Sequence, residues 1–246
     1  MSVQVSPAAL PETRARELVP VYVWEVTVRV THWLIAAAIV VLSATGLYIG
    51  YPFATASGPE LMGWAKYLHA IAAYVFTASV LVRVIWMFTG NKYSHWDKFI
   101  AIHRPRLNGM LPTAYFYMFL RDKPPAYVGH NPLAASAYSL VFGLYFIAIL
   151  TGFVLRGASA DVGSAISWFG SLAPLLGGLQ LTRWIHHITM WLLLGFSVHH
   201  VYSAVLVSIV EKNGTIDSII SGYKWVPRRD LEPGPYRWIN RGEVDE

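Results

Sequence analysis

The sequence predicts an all-α membrane protein, a four-transmembrane-helix bundle with both termini in the cytoplasm. Three observations carry this. Of the 246 residues, 55% are hydrophobic and only 13% charged, whereas soluble domains run near ~25% charged. Mean hydropathy is +0.43. Four stretches are apolar over the roughly 20 residues that a bilayer core requires.

The elements follow in chain order. Residues 1–20 mix Glu12 and Glu17 with Arg14 and Arg16 and contain prolines, which does not read as a signal peptide. The apolar run that follows is also too long for a signal h-region. Pro20 is a good first-turn residue, so the first helix is expected over 22–50, with Tyr22 and Trp24 at the membrane interface. Its apolar heart is Leu34–Ile49. The second helix is expected over 64–88, uncharged except for Lys66 and Arg83 near its ends. The third is expected over 133–156, with Asn131 before Pro132 as its start signal. The fourth is expected over 183–211, uncharged from Trp184 to Val210. Segment 89–132 is read as a cytoplasmic loop and 212–246 as a cytoplasmic tail of a single domain, 1–246. No internal repeat or low-complexity segment is evident.

Orientation follows from the cations. Arg14, Arg16 and Arg29 precede or open the first span. Lys92, Lys98, Arg104, Arg106, Arg121 and Lys123 lie between the second and third. Lys212, Lys224, Arg228, Arg229, Arg237 and Arg241 follow the fourth. The other two connections, Tyr51–Gly63 and Gly157–Thr182, contain no Lys or Arg. The net charge of +5 is therefore a positive-inside bias, and nucleic acid is not an expected partner.

There are no cysteines, which excludes iron–sulfur ligation, thiolate zinc sites and covalent haem attachment. Histidine remains as the metal ligand. A histidine inside a span is costly and marks function by default. His32 lies in the first span, His69 in the second, and His186, His187, His199 and His200 in the fourth. His95, His103 and His130 fall in the cytoplasmic loop.

Residues fourteen apart on a helix differ by about 40° in azimuth and about 21 Å in height. His186 and His200 have this spacing, so one face of the fourth helix offers two ligands at two depths. His187 and His199 are twelve apart, about 120° around the helix, and share a face less well. Helix direction puts His69 near the outer side with His186, and His32 toward the cytoplasm with His200. The expected pairs are His69–His186, outer, and His32–His200, inner. Hydrogen bonding between helices is the bland alternative for any single histidine. A zinc site would gather three or four ligands at one depth. Two imidazoles at each of two depths fit two bis-histidine haems.

Cations accompany these ligands. Arg29, Lys66 and Arg183 each lie three residues before His32, His69 and His186, which makes them neighbours on a helix face. Arg83 is fourteen residues after His69, on the same face at the inner depth. All four are candidates for holding haem propionates, and snorkelling to the headgroups is the alternative.

These residues resemble a family. Arg29-Val30-Thr31-His32-Trp33, followed by Thr45-Gly46, is similar to the first-helix signature of the b-type cytochrome subunit of membrane-bound nickel–iron uptake hydrogenases. Trp184-Ile185-His186-His187 with His200 is similar to its last helix. Gly129-His130-Asn131-Pro132-Leu133 resembles an element of related di-haem cytochromes. The resemblance covers residues 20 to 225. It implies that His32, His69, His186 and His200 bind two non-covalent haems b. It also implies that the chain anchors the small and large subunits of a periplasmic hydrogenase in the bacterial inner membrane and passes their electrons to quinone. The doubled histidines leave a one-residue ambiguity, which helical spacing resolves toward His186 and His200. Competing readings are the cytochrome subunit of another dehydrogenase such as formate dehydrogenase, a stand-alone b561-type cytochrome, and a cofactor-free transporter or scaffold. No hydrogen-activating chemistry is encoded in this chain.

Two further expectations concern the ends of the bundle. The outer connections are nearly uncharged and include Trp168, Phe169, Leu172, Leu175 and Leu176, an apolar surface suited to a partner or to short helices lying in the interface. Quinone is expected at the inner end, where Glu25, His199, Tyr202, and His130 with Asn131 supply polar groups. His199 and Tyr202 are the residues singled out.

Overall fold

The computed structural model describes residues 17–52, 58–98, 104–122 and 131–231. Four of its helices are long and apolar enough to cross a membrane: Val26–Gly50, Gly58–Thr89, Pro132–Ala158 and Leu179–Glu211. In lipid a backbone must satisfy its own hydrogen bonds, and helices do so within one segment. The third helix opens at Pro132, where Asn131 Oδ1 accepts the Ala134 N–H at 2.7 Å. That contact quenches one of the free donors at a helix start. The second and fourth helices begin earlier than 64 and 183. Gly129, His103 and His130 lie outside the described residues, as do Arg14, Arg16, Lys123, Arg237 and Arg241.

The first helix corrects an expectation. It begins at Val26, not near Pro20. Leu18–Tyr22 forms strand β1, which pairs antiparallel with β2, Tyr223–Pro227, in the register Val19↔Val226 and Tyr22↔Tyr223. Pro20 faces Trp225 in this ladder. A two-stranded ribbon has only edge strands, where a missing N–H is tolerated. Tyr22 ends β1 and its ring meets Tyr223 at 5.1 Å. Trp24 Nε1 donates to Ser218 Oγ at 3.1 Å. The apolar character of 18–24 serves strand pairing, not the start of the span.

The chain divides into two compact units. One combines the residues up to Glu25 with 90–135 and those from Ala204 onward. Its core gathers Val23, Tyr93 and Val226, with Val21, Trp24 and Leu231 packed against them. Glu25 accepts the Asn91 N–H at 2.8 Å, and Asn91 Nδ2 donates to the Val23 carbonyl at 3.0 Å. Segment 89–132, read as a loop, contains the helix Arg104–Tyr117. Burial raises the Tyr117 phenol above its ordinary range, and Asn131 Nδ2 donates to its oxygen at 3.4 Å.

Gly222 ends the helix Thr215–Ser221 with φ of 92°. A Cβ there would stand 2.7 Å from the Tyr22 ring and 2.8 Å from the Trp24 carbonyl. The left-handed backbone alone costs a side chain about 1–2 kcal/mol, before the clash. Gly222→Ala should therefore lower the unfolding temperature of the detergent-solubilised protein and speed proteolysis near β1 and β2. An unchanged melting curve would show that the strand and turn do not support the fold.

The other unit, Val26–Thr89 with Ser136–Ser203, holds the bundle. Each of the four helices contributes to its core, through Ile35 and Ala38, Phe76 and Val80, Val141 and Tyr145, and Leu193. Most of the apolar surface nevertheless points outward: Val40 is 67% exposed, Leu140 67% and Val198 74%. Water-soluble monomers rarely show continuous apolar faces of this kind, so lipid is the matching solvent. After the third helix come two short turns, Ser167–Gly170 and Ala173–Leu176. Trp168 and Leu175 on them are 63% and 81% exposed.

Candidate functional site

The helices bring the histidines together in two pairs. The rings of His69 and His186 face each other with centroids 6.5 Å apart, and those of His32 and His200 stand 6.2 Å apart. Among the described residues no hydrogen bond joins the two rings of either pair. A direct imidazole–imidazole bond would hold the rings closer. An imidazole nitrogen lies about 2.0–2.1 Å from a first-row metal and about 1.1 Å from its own ring centre, so two imidazoles on opposite sides of one ion have centres about 6.2–6.4 Å apart. The His32–His200 pair stands within this range at 6.2 Å, and the His69–His186 pair just above it at 6.5 Å. No group of three or more His, Asp or Glu side chains able to hold an ion occurs among the described residues, so the donor set suits a metal whose remaining ligands come from a macrocycle.

A cavity of about 1290 Å³ opens at the His69–His186 pair, larger than the ~300–1,000 Å³ typical of small-molecule sites. Its walls include Ile39, Leu42, Phe76, Ile149, Met190 and Leu193. Lys66, Arg156 and Arg183 also line it, so an apolar chamber carries cations at its boundary. This combination suits a flat apolar ring bearing carboxylates.

Each histidine of this pair is held from a neighbouring helix. Thr45 Oγ1, on the first helix, lies 2.9 Å from His69 Nδ1 on the second. Thr151 Oγ1, on the third, lies 2.9 Å from His186 Nδ1 on the fourth. A glycine follows each threonine. A Cβ on Gly46 would stand 3.3 Å from His69 Cε1, and one on Gly152 would stand 3.2 Å from His186 Cε1.

The surroundings of the His32–His200 pair are different. His32 Nδ1 is buried without a hydrogen-bond partner among the described residues. The Tyr138 hydroxyl is 3.5 Å from His200 Nδ1. Phe196, one turn before His200, stacks on it at 5.5 Å and 14°. Arg83 is buried and close enough to act electrostatically on His32. Arg29 is half-buried one turn before His32.

The remaining member of each doubled histidine turns elsewhere. His187 Nδ1 contacts its own helix at the Arg183 carbonyl, 3.2 Å away, and its Nε2 points at Gly50, where a Cβ would be 2.7 Å away. His199 is exposed, with Nε2 3.3 Å from Ser203 Oγ. Tyr202 is 49% exposed and, three residues on, shares a helix face with His199. The sequence reading had no role for Thr151, Gly152, Tyr138 or Phe196. The signal for the first two was the repeat of Thr-Gly in the first and third spans.

Apolar helices that present imidazoles to one another across their core have the architecture of a membrane-bound cytochrome. The chain belongs to the prokaryotic cytochrome b561 family, whose model matches residues 23–222. Its cofactor is accordingly b-type haem, and it is a multi-pass bacterial membrane protein of electron transfer. It is 38% identical over 213 residues to a protein of Cupriavidus necator named "Probable Ni/Fe-hydrogenase B-type cytochrome subunit", covering 82% of this chain and 86% of that one. A protein of the same name from Azotobacter chroococcum is 35% identical, covering 87% and 92%. The Escherichia coli protein named "Probable Ni/Fe-hydrogenase 1 B-type cytochrome subunit" is 31% identical, covering 87% and 94%. The resemblance read from the histidine motifs is thus borne out across most of the chain.

Proposed function

We propose that this chain is a di-haem cytochrome b that anchors a periplasmic nickel–iron hydrogenase and carries its electrons across the membrane to quinone. The observation that supports this most is the presence of two facing histidine pairs, 6.5 and 6.2 Å between ring centres, at two depths along one helix. His69 and His186 are the axial ligands of one haem, and His32 and His200 those of the other. A bis-histidine haem supplies reversible one-electron chemistry without an open coordination position. Lys66 and Arg183 hold propionates at the first pair, and Arg29 and Arg83 at the second. The apolar walls of the chamber at the first pair exclude water from its ring. Pyridine haemochrome analysis should give two non-covalent haems b per chain. One haem or none in a folded preparation would refute the assignment.

The hydrogenase part of the proposal rests on the names of the relatives. The positive-inside count supports cytoplasmic chain ends, with the segments around Tyr51–Gly63 and Gly157–Thr182 on the periplasmic face. Exposed Trp168 and Leu175 make the second of these an apolar landing surface for the hydrogenase subunits, close in sequence to the His186 end of the fourth helix. Crosslinking of the native complex should join the catalytic subunits to 157–182. Crosslinks confined to 89–132 would refute that placement. Quinone binds at the other end, and the exposed His199 and Tyr202 face is the part of the fourth helix that a lipid-soluble molecule could reach there.

A further inference from the structure

We propose that Thr45 and Thr151 are positioning residues which fix the tautomer of His69 and His186 and set the electron-donating strength of both axial ligands. This rests on the reading of those histidines as haem ligands and deepens it.

The argument begins with one proton. A threonine hydroxyl has a single hydrogen to donate and lone pairs to accept with. Thr45 Oγ1 lies 2.6 Å from the Val41 carbonyl, and Thr151 Oγ1 lies 2.6 Å from the Ile147 carbonyl. Two oxygens that close need a hydrogen between them, and the carbonyl has none. Each hydroxyl is therefore committed to its own helix, one turn back. Toward the histidine, 2.9 Å away in both cases, it can only accept. The proton must then sit on Nδ1 of His69 and of His186, which leaves the Nε2 lone pair free on the side facing the other ring.

The glycines make the grip close. With a Cβ at 3.3 Å on Gly46 or 3.2 Å on Gly152, the imidazole would have to shift by tenths of an ångström, and a ring tied to a metal cannot shift freely. Threonine and glycine act together: one residue orients the ring, and the next lets the helix backbone approach its edge. The device occurs twice, from the first helix onto the second and from the third onto the fourth. Among the described residues no threonine takes this part at the other pair, where His32 Nδ1 has no hydrogen-bond partner and the Tyr138 hydroxyl stands 3.5 Å from His200 Nδ1.

An acceptor on Nδ1–H raises the basicity of the coordinating nitrogen and orients the ring. Such hydrogen bonds to axial ligands tune haem potentials. A more basic ligand stabilises the oxidised iron, so Thr45 and Thr151 hold down the potential of the His69–His186 haem alone.

The test uses the intact, haem-loaded protein in detergent, with single Thr45→Val and Thr151→Val variants and the matching serine variants. Potentiometric titration followed by optical and EPR spectra reads each haem separately. Each valine variant should change the oxidised-to-reduced ratio of one haem about tenfold at fixed potential, an upward shift of about 59 mV for one electron, with altered low-spin g-values. The other haem should stay at the parent value, and serine should restore the parent behaviour. Parent potentials and g-values in both valine variants would overturn the proposal. So would loss of a haem in the valine variants that serine fails to rescue. Loss of a haem in a valine variant that serine does rescue supports it, since it shows a need for the hydroxyl. Failure of the ligand reading itself would look different: His69→Ala and His186→Ala would then retain both haems.

Discussion

Replacing His186 with alanine should remove one haem and replacing His200 should remove the other, so that each variant retains half of the parent chromophore. The two residues lie on one face of a helix that is continuous from Leu179 to Glu211, and each meets a different partner helix. His186 faces His69, and His200 faces His32. A low-spin haem that loses one of two protein ligands becomes five-coordinate, so any haem still held at the substituted pair should show a high-spin spectrum, while the haem at the other pair stays low-spin. The controls are His187 and His199, one residue away on the same helix. His187 is turned toward Gly50 and the Arg183 carbonyl, and His199 toward Ser203. Their alanine variants should keep both haems low-spin. The reverse result, with haem lost from His187→Ala or His199→Ala and kept in His186→Ala and His200→Ala, would mean that the fourth helix binds haem through its other face. Pyridine haemochrome and reduced-minus-oxidised spectra of the purified variants decide between the two.

The features legible in the sequence were those that lipid and helical geometry impose. A bilayer demands long uncharged runs, so the four spans stand out in a chain that is only 13% charged. The 3.6-residue period converts the spacing of His186 and His200 into a shared face. Chain direction then assigns each a partner, and the structure brings these four rings together as expected. Contacts between helices were far less legible. Thr151 reaches His186 across thirty-five residues, and apart from the Gly152 that follows it nothing local distinguishes it from any hydroxyl bonding back to its own helix, which it also does. Tyr138 and Phe196 read as ordinary apolar aromatics until the third and fourth helices are seen to bring them to His200. The helix expected from near Pro20 overlaps the end of β1, because the strand's partner, Tyr223–Pro227, lies at the far end of the sequence. Local pattern shows alternation in five residues only weakly, and a proline in the middle argues against a strand. That argument fails at an edge, and Pro20 is on one.

Hydrogen oxidation by the complete complex, reconstituted in tight vesicles with the hydrogenase outside, should build a membrane potential that is negative inside. The two histidine pairs lie at depths about 21 Å apart along the fourth helix, a large part of a hydrocarbon core about 30 Å thick. A chain that handed electrons to quinone at the His69–His186 end would have no use for His32, His200, the buried Arg83 of the second helix or the Phe196 ring stacked on His200. A buried cation in a span is expensive to keep, and its retention is explained if charge arrives there. Electrons that cross and meet protons drawn from the inner side move net negative charge inward, with two protons taken up per quinone reduced. A voltage-sensitive dye should therefore report a signal that grows with turnover and collapses with an ionophore. Replacing His200 should abolish the dye response together with quinone reduction, while hydrogen oxidation with an artificial acceptor on the hydrogenase side continues. Brisk quinone reduction without a potential in ionophore-sensitive vesicles would place the quinone site at the His69–His186 end, and the second pair would then need another role.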